Sequence, residues 1–299
     1  MHDPVIILAP PRSFTSIVCG MLGQHPQLYG LPEVNLFVAE TMREREGVLA
    51  QRRFSEHGLL RVVAQLFAGE QTIQTIGLAR RWVAMRAHRT CVSVFRELAE
   101  RVSPRILVDK SPMTVLRPEY LQRIRRAFPN ARFLHLLRHP RTQGDSLWRI
   151  GGPLAGWRLE ALDYSTDPPT VDFQKAWYTM HMTILTFLEG VPKAQQLRVR
   201  GEDLLADPDA HLQQIAAWLG IRTDPEAIEA MKHPERSPYA CLGPLNAPFG
   251  NDPQFLRAPA LRRPSAPLSA SLEGPLPWRH DGQGFSPEVK ALAREFGYQ

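Results

Sequence analysis

The run Val5-Ile6-Ile7-Leu8-Ala9 passes directly into Pro10-Pro11-Arg12-Ser13-Phe14-Thr15-Ser16 and then into a helical pattern through Leu22. No other stretch limits the fold as much. A run that is apolar at every position suits a strand buried on both faces, as in a parallel sheet, because a strand with one wet face alternates. Ile17, Val18, Met21 and Leu22 recur at helical spacing, and His25-Pro26 closes that helix. The order strand, polar loop, helix puts the loop at the carboxyl end of a strand and the amino end of a helix. Backbone N–H groups at such a junction form a ready site for an anion.

The same alternation recurs downstream. Ile106-Leu107-Val108 reads as a strand ending at Asp109-Lys110-Ser111-Pro112, with a helix from Pro118 to Phe128 behind it. Arg132-Phe133-Leu134-His135-Leu136-Leu137 reads as a third strand, ending at Arg138-His139-Pro140-Arg141. Its helix carries Ser146 and Trp148 and is expected to stop at Gly151-Gly152-Pro153. A further helix spans 171–189, Leu197-Arg198-Val199 is a fourth strand, and a last clear helix runs over 208–219. Strands that alternate with helices predict an α/β fold, a parallel sheet covered on both faces, with ligands at the carboxyl ends of the strands. Two segments stand outside that rhythm. Residues 34–103 read as a helical insert, with Leu59, Val62, Val63, Leu66 and Phe67 on one apolar stripe. Residues 232–280 carry prolines from Pro234 to Pro277, which disfavours regular structure. Tyr239, Asn246, Phe249, Asn251 and Phe255 interleave with those prolines, so we expect an ordered, irregular wrap over a single domain spanning residues 1–299.

Composition narrows the class. The 299 residues are 43% hydrophobic and 22% charged, ordinary for a globular protein, and the net charge of +6 suits an anionic ligand or a plain basic surface. No zinc-finger spacing, basic tract or aromatic RNA motif points to nucleic acid. Cys19, Cys91 and Cys241 are far apart and odd in number, which argues against a disulfide framework or a cysteine zinc site and favours a reducing, cytoplasmic setting. The apolar run at the N-terminus is too short for a secretory signal, and no stretch approaches the roughly 20 apolar residues of a membrane helix.

Four groups carry chemistry, three at strand ends and Glu33 just beyond the first helix. Arg12 offers a planar, permanently charged fork for phosphate or sulfate oxygens, and Ser13, Thr15 and Ser16 add hydroxyls. Helix capping by Ser13 or Thr15 is the plainer reading, although capping needs only one such residue. The loop lacks the Gly-x-x-x-x-Gly-Lys of a nucleotide triphosphatase. Arg138 at a strand end and Ser146 in the next helix could share one phosphate, or be a surface Arg and an ordinary helix Ser. Glu33 could take a proton from a hydroxyl, or simply sit at a helix start favoured by the dipole. Lys110 could offset charge on a leaving phosphate, or pair with Asp109.

Together these residues resemble a family. Pro11-Arg12-Ser13-x-Thr15-Ser16 resembles the 5′-phosphosulfate loop of sulfotransferases that use 3′-phosphoadenosine 5′-phosphosulfate (PAPS), and the run from Arg138 to Ser146 resembles their 3′-phosphate motif. The segment from His25-Pro26 through Glu33, Asp109-Lys110-Ser111-Pro112, and Arg200-Gly201-Glu202-Asp203-Leu204 resemble the branch with Arg in the loop. That branch includes tyrosylprotein sulfotransferases, many bacterial sulfotransferases and sulfotransferase domains of modular synthases. The resemblance covers residues 5–220 in order. It implies a P-loop-like fold, PAPS as sulfuryl donor, 3′,5′-bisphosphoadenosine as product and no metal. It places Arg12, Ser13, Phe14, Thr15 and Ser16 on the 5′-phosphosulfate, Arg138 and Ser146 on the 3′-phosphate, Glu33 as base and Lys110 on the leaving group. The acceptor it implies bears a hydroxyl, on a small molecule or tethered to a carrier. Phe14 stands where the family has Gly, and Gly201 where it has Tyr; neither departure removes a charge. A small-molecule kinase and a non-catalytic nucleotide-binding relative are the alternatives.

Overall fold

The computed structural model describes residues 3–50, 55–261 and 270–299. The central sheet takes its strands in the order β2 (Leu28–Gly30), β3 (Ile106–Asp109), β1 (Val5–Leu8), β4 (Arg132–Leu137) and β7 (Gln196–Arg200), all parallel. Between β4 and β7 a short antiparallel pair, β5 (Leu162–Asp163) and β6 (Thr170–Val171), stands apart from that sheet. The opening strand lies at the centre, paired with β3 through Val5↔Val108 and with β4 through Ile6↔Phe133.

Its two faces explain why every residue of the run is apolar. Ile6 and Leu8 join a core with Leu107, Phe133 and Leu137, while Val5, Ile7 and Ala9 join another with Val108, Leu134 and Val199. A strand sandwiched between two cores has no face for water. Burying each such side chain contributes about 1.5–3 kcal/mol, so the central strand is among the costliest places to insert a polar group.

Helix α1 (Thr15–Leu22) follows β1, and four helices, α2 (Met42–Leu49), α3 (His57–Ala68), α4 (Ile73–Ala84) and α5 (Cys91–Val102), fill the insert before β3. The helix α6 (Pro118–Ala127) precedes β4 and α7 (Pro140–Arg158) follows it. The predicted stop at Gly151-Gly152-Pro153 is a kink rather than an end. Gly152 takes φ 47°, ψ −136°, and the helix resumes as far as Arg158. Glycine accepts that left-handed angle without strain, and Pro153 then sits in a first turn where its missing N–H costs nothing. The remaining helices are α8 (Phe173–Glu189), α9 (Gly201–Ala206), α10 (Pro208–Leu219), α11 (Pro225–Met231), α12 (Pro253–Arg257) and α13 (Pro287–Glu295). No helix among the described residues is long and apolar enough to cross a membrane.

The proline-rich segment is staked to the domain by specific contacts; its Pro264 and Pro267 lie outside the described residues. Tyr239 is buried with its hydroxyl 2.8 Å from that of Tyr29. Arg141 on α7 donates to the carbonyls of Ser271, Glu273, Gly274 and Pro275. Arg279 pairs with Asp163, Asp172 and Asp281, tying the segment to the β5–β6 pair. Such charge-assisted bonds replace the backbone ladders that proline forbids.

On the α8 side of the sheet, His135 Nε2 on β4 lies 2.9 Å from His181 Nδ1, closed in by Trp177 and Phe296. Burial pushes both imidazoles below their ordinary range, His181 to about 3. The unfolded chain binds protons there near pH 6.5 and the folded chain does not, so stability is intact above pH 6.5 and falls as pH drops toward 3. We expect a loss approaching about 1.4 kcal/mol per pH unit for each histidine, read as a falling urea midpoint, and His181→Phe should flatten the slope.

Candidate active site

The loop between β1 and α1 is built on two residues in a conformation that glycine prefers. Arg12 has φ 69° and Phe14 φ 61°, and Ser13 between them is not in that region. Each costs roughly 1–2 kcal/mol for a residue with a side chain. The backbone is held there from α7 and the end of β4. Arg138 Nη1 donates to the Arg12 carbonyl at 2.5 Å, and the buried Gln143 donates to the Pro11 carbonyl at 2.9 Å. Alternating hands of this kind make a backbone nest for an anion. The capping reading fails, since Phe14 is the cap residue of α1 and no side chain makes a capping hydrogen bond to that turn's backbone. The donors of that turn are left for a ligand.

Lys110, fully buried at the end of β3, joins the loop to Glu33. Its Nζ donates to Ser16 Oγ at 3.0 Å and to Glu33 Oε1 at 2.9 Å. Burying an ammonium is costly unless it is paired and hydrogen-bonded, and these two bonds meet that need. The pairing with Asp109 does not form. Asp109 accepts instead from Ser111 Oγ at 3.0 Å, and burial raises its carboxyl to about 6. Ser111 Oγ in turn accepts the N–H of Asn35 at 2.9 Å, while buried Arg45 donates to the carbonyls of Val34 and Asn35. Glu33 itself lies in a loop well ahead of α2, so the helix-dipole reading is excluded, and its N–H bonds the Gly250 carbonyl at 2.7 Å.

Glu33, Thr15, Ser16 and Arg12 line a cavity of about 360 Å³, with Met113 and Leu116 forming apolar wall. Beyond that wall a groove of about 500 Å³ continues, sharing Met113, Leu116, Arg158 and Leu159 with the first cavity. A carboxylate at a cavity wall with an unengaged oxygen can accept a proton, and a nest beside it can hold an anion. Among the described residues no group of three or more His, Cys, Asp or Glu side chains is placed to hold a metal ion.

The structure gathers most of the residues singled out in the sequence. Arg12 Nε donates to Ser146 Oγ at 2.9 Å, and Arg138 lies against both Arg12 and Phe14. Burial lowers the Arg138 guanidinium to about 10, still fully charged at neutral pH. Lys110, Arg138 and Ser146 stand behind the cavity lining and reach it through Ser16, Glu33 and Arg12, whereas the Ser13 side chain is wholly buried, lies off the lining and has no partner for its Oγ among the described residues. Sequence reasoning missed Asp252 and Gln254. Asp252 forms an ion pair with Arg12, its N–H donates to Ser16 Oγ at 3.1 Å, and Gln254 accepts from Arg12 at 3.0 Å. Nothing in the spacing of a proline-rich stretch signals that it will return some 240 residues later to roof the loop. Gly58, in α3, was also missed, because an isolated glycine in a helical pattern does not show which backbone packs against it. A Cβ there would lie 2.1 Å from the Glu33 carbonyl oxygen.

Comparison with known proteins gives a consistent family. Residues 4–225 match the model described as "Sulfotransferase family". The nodulation protein NoeE of Sinorhizobium fredii (strain NBRC 101917 / NGR234) is 28% identical over 231 residues, 74% of this chain and 50% of that protein. The chain thus spans about half the length of this curated relative. Among solved structures, the sulfotransferase domain from the curacin biosynthetic pathway superposes with TM-score 0.80 at 23% identity, covering 100% of this chain and 99% of that one. The sulfotransferase domain from the Synechococcus PCC 7002 olefin synthase gives TM-score 0.74 at 25% identity, covering 100% and 97%.

The close approach of Gly58 makes a test of how tightly Glu33 must be placed. Gly58→Ala forces the Glu33 backbone to shift, and a displacement near 1 Å at a reacting group can cost about 10²-fold. We expect turnover to fall by at least about tenfold while the circular dichroism spectrum is unchanged.

Proposed function

The chain belongs to the sulfotransferase family, and from that premise we propose that it transfers a sulfuryl group from PAPS to an acceptor hydroxyl with Glu33 as base. The observation that carries this reading is the position of Lys110 Nζ, bonded at once to Ser16 of the anion loop and to Glu33 at the cavity wall. One buried cation thereby fixes the distance between the group that would hold the sulfate and the group that would take the proton.

The donor's 5′-phosphosulfate sits in the nest formed by Arg12, Phe14, Thr15 and Ser16, and its 3′-phosphate lies against Arg138 and Ser146. The buried Ser13 serves through its backbone. The acceptor oxygen bonds to sulfur as its proton passes to Glu33, and the bond between sulfur and the bridging oxygen breaks. The electron pair leaves on 3′,5′-bisphosphoadenosine, where Lys110 and Arg12 stabilise it. Two of the three N–H groups of Lys110 are committed to Ser16 and Glu33, which leaves one for the bridging oxygen. In-line positioning and charge stabilisation do the work, as in phosphoryl transfer. The donor must share or replace Asp252 on the Arg12 fork, so the segment around Asp252 acts as the roof of the donor loop.

The apolar wall at Met113 and Leu116, continued by the second groove, favours an acceptor whose hydroxyl is carried on an apolar body. A small molecule and a carrier-tethered chain both fit that description. The reading takes residues 1–299 as one catalytic unit and places it in the cytoplasm, where the free thiols of Cys19, Cys91 and Cys241 stay reduced.

Thermal-shift measurements with 3′,5′-bisphosphoadenosine, beside ATP with magnesium, test the donor. At 100 times its dissociation constant the bisphosphate should stabilise the chain by about 2.7 kcal/mol; stabilisation by ATP with magnesium alone would replace this reading with a kinase. Glu33→Gln should lower turnover by roughly 10²–10⁴-fold with the bisphosphate affinity unchanged, and full activity in that variant would remove Glu33 as base. Arg138→Ala should weaken bisphosphate binding by about 10-fold or more, the loss of a charge-assisted contact.

A further inference from the structure

Phe14 and Gly201 look like two unrelated departures in the sequence, yet in the structure they are one feature. A Cβ on Gly201 would lie 2.3 Å from Cδ2 and 3.1 Å from Cε2 of Phe14. The ring thus fills the space that any side chain at position 201 would need. The same ring lies under Arg138, whose guanidinium carbon is 4.4 Å from its centroid. Two further bonds fix the guanidinium: Nε donates to Thr142 Oγ1 at 3.0 Å and Nη1 to the Arg12 carbonyl at 2.5 Å. Nη2 has no partner among the described residues.

We propose that Phe14 is a positioning residue for the 3′-phosphate of the donor: its ring, seated where Gly201 has no side chain, holds the Arg138 guanidinium so that Nη2 faces that phosphate. This rests on the donor assignment given above. The ring face attracts the cation and blocks the side of the fork that would otherwise swing into the space over Gly201. It also explains why a bulky residue is kept at φ 61°, where a glycine would be free of strain: the backbone cost is offset by a contact that only an aromatic side chain provides. Simple core filling is the competing explanation, since Phe14 also packs on the edge of the cluster around Val18 and Leu204. Leucine would satisfy that role and not the other.

Calorimetric titration with 3′,5′-bisphosphoadenosine and with 5′-AMP separates the two, because these ligands differ only in the 3′-phosphate. The wild-type chain should prefer the bisphosphate. In Phe14→Leu that preference should shrink about tenfold, equivalent to about 1.4 kcal/mol, as expected for loss of one cation–π contact, with 5′-AMP affinity falling by clearly less than bisphosphate affinity because the Phe14 backbone of the nest is retained. Phe14→Tyr keeps the ring and should keep the preference. Gly201→Ala, which pushes the ring aside, should lose it, and Phe14→Leu with Gly201→Ala should lose no more than either alone. Phe14→Tyr and Gly201→Ala also decide the matter if Phe14→Leu does not fold. Retention of the full preference in Phe14→Leu or Gly201→Ala, or an equal loss for both nucleotides, overturns the role of Phe14. A wild-type chain that does not distinguish the nucleotides overturns the donor assignment, and this inference with it.

Discussion

A buried ammonium group organises this molecule. Lys110 has no access to water, so its charge is tolerable only if oxygen atoms surround it. Those oxygens come from Ser16, at the start of α1, and Glu33, in the loop that leaves β2. Three separate strand ends are thereby drawn to one point. Loss of either partner leaves a desolvated charge, so the geometry that would serve transfer chemistry is enforced by electrostatics that the folded state needs in any case.

The surrounding scaffold is a series of such obligations. Arg45 is buried and satisfies itself on the carbonyls that carry Glu33 into position, and Ser111 links the buried Asp109 to the backbone of Asn35. Arg138 reaches back to the carbonyl of Arg12 and stabilises a left-handed turn that the loop would not keep alone. The proline-rich segment closes the same site from the opposite side, with Asp252 on Arg12 and on Ser16. Polar groups that a smaller domain would leave in water are here used to fix the loop against two helices and a strand end.

The family relationship and the local geometry bear on different questions. Matching residues 4–225 to the family settles the kind of transferase fold this is, and the long superpositions with the curacin-pathway and olefin-synthase sulfotransferase domains extend the likeness of fold over the whole chain. The chain's own residues bear on how it is tuned: Phe14 against Gly201 and Arg138, and a cavity whose wall at Met113 and Leu116 is apolar.

Much of this was legible in the sequence, for physical reasons that operate over short distances. A run apolar at every position has to be a strand between two cores, and the strand–loop–helix order puts Arg12, Lys110 and Arg138 at strand ends whatever the details of packing. The short edge strand β2 and the kink at Gly152 were not legible, because three residues carry too little periodicity and a Gly-Gly-Pro run reads the same for a bend as for a stop. Only the tertiary structure could decide that Lys110 pairs with Glu33 and not with its neighbour Asp109, that Ser13 turns inward, and that Asp252 returns to Arg12. Those contacts join residues from 77 to 240 positions apart, and they are chosen by which charges are buried together, a quantity that exists only once the chain has folded.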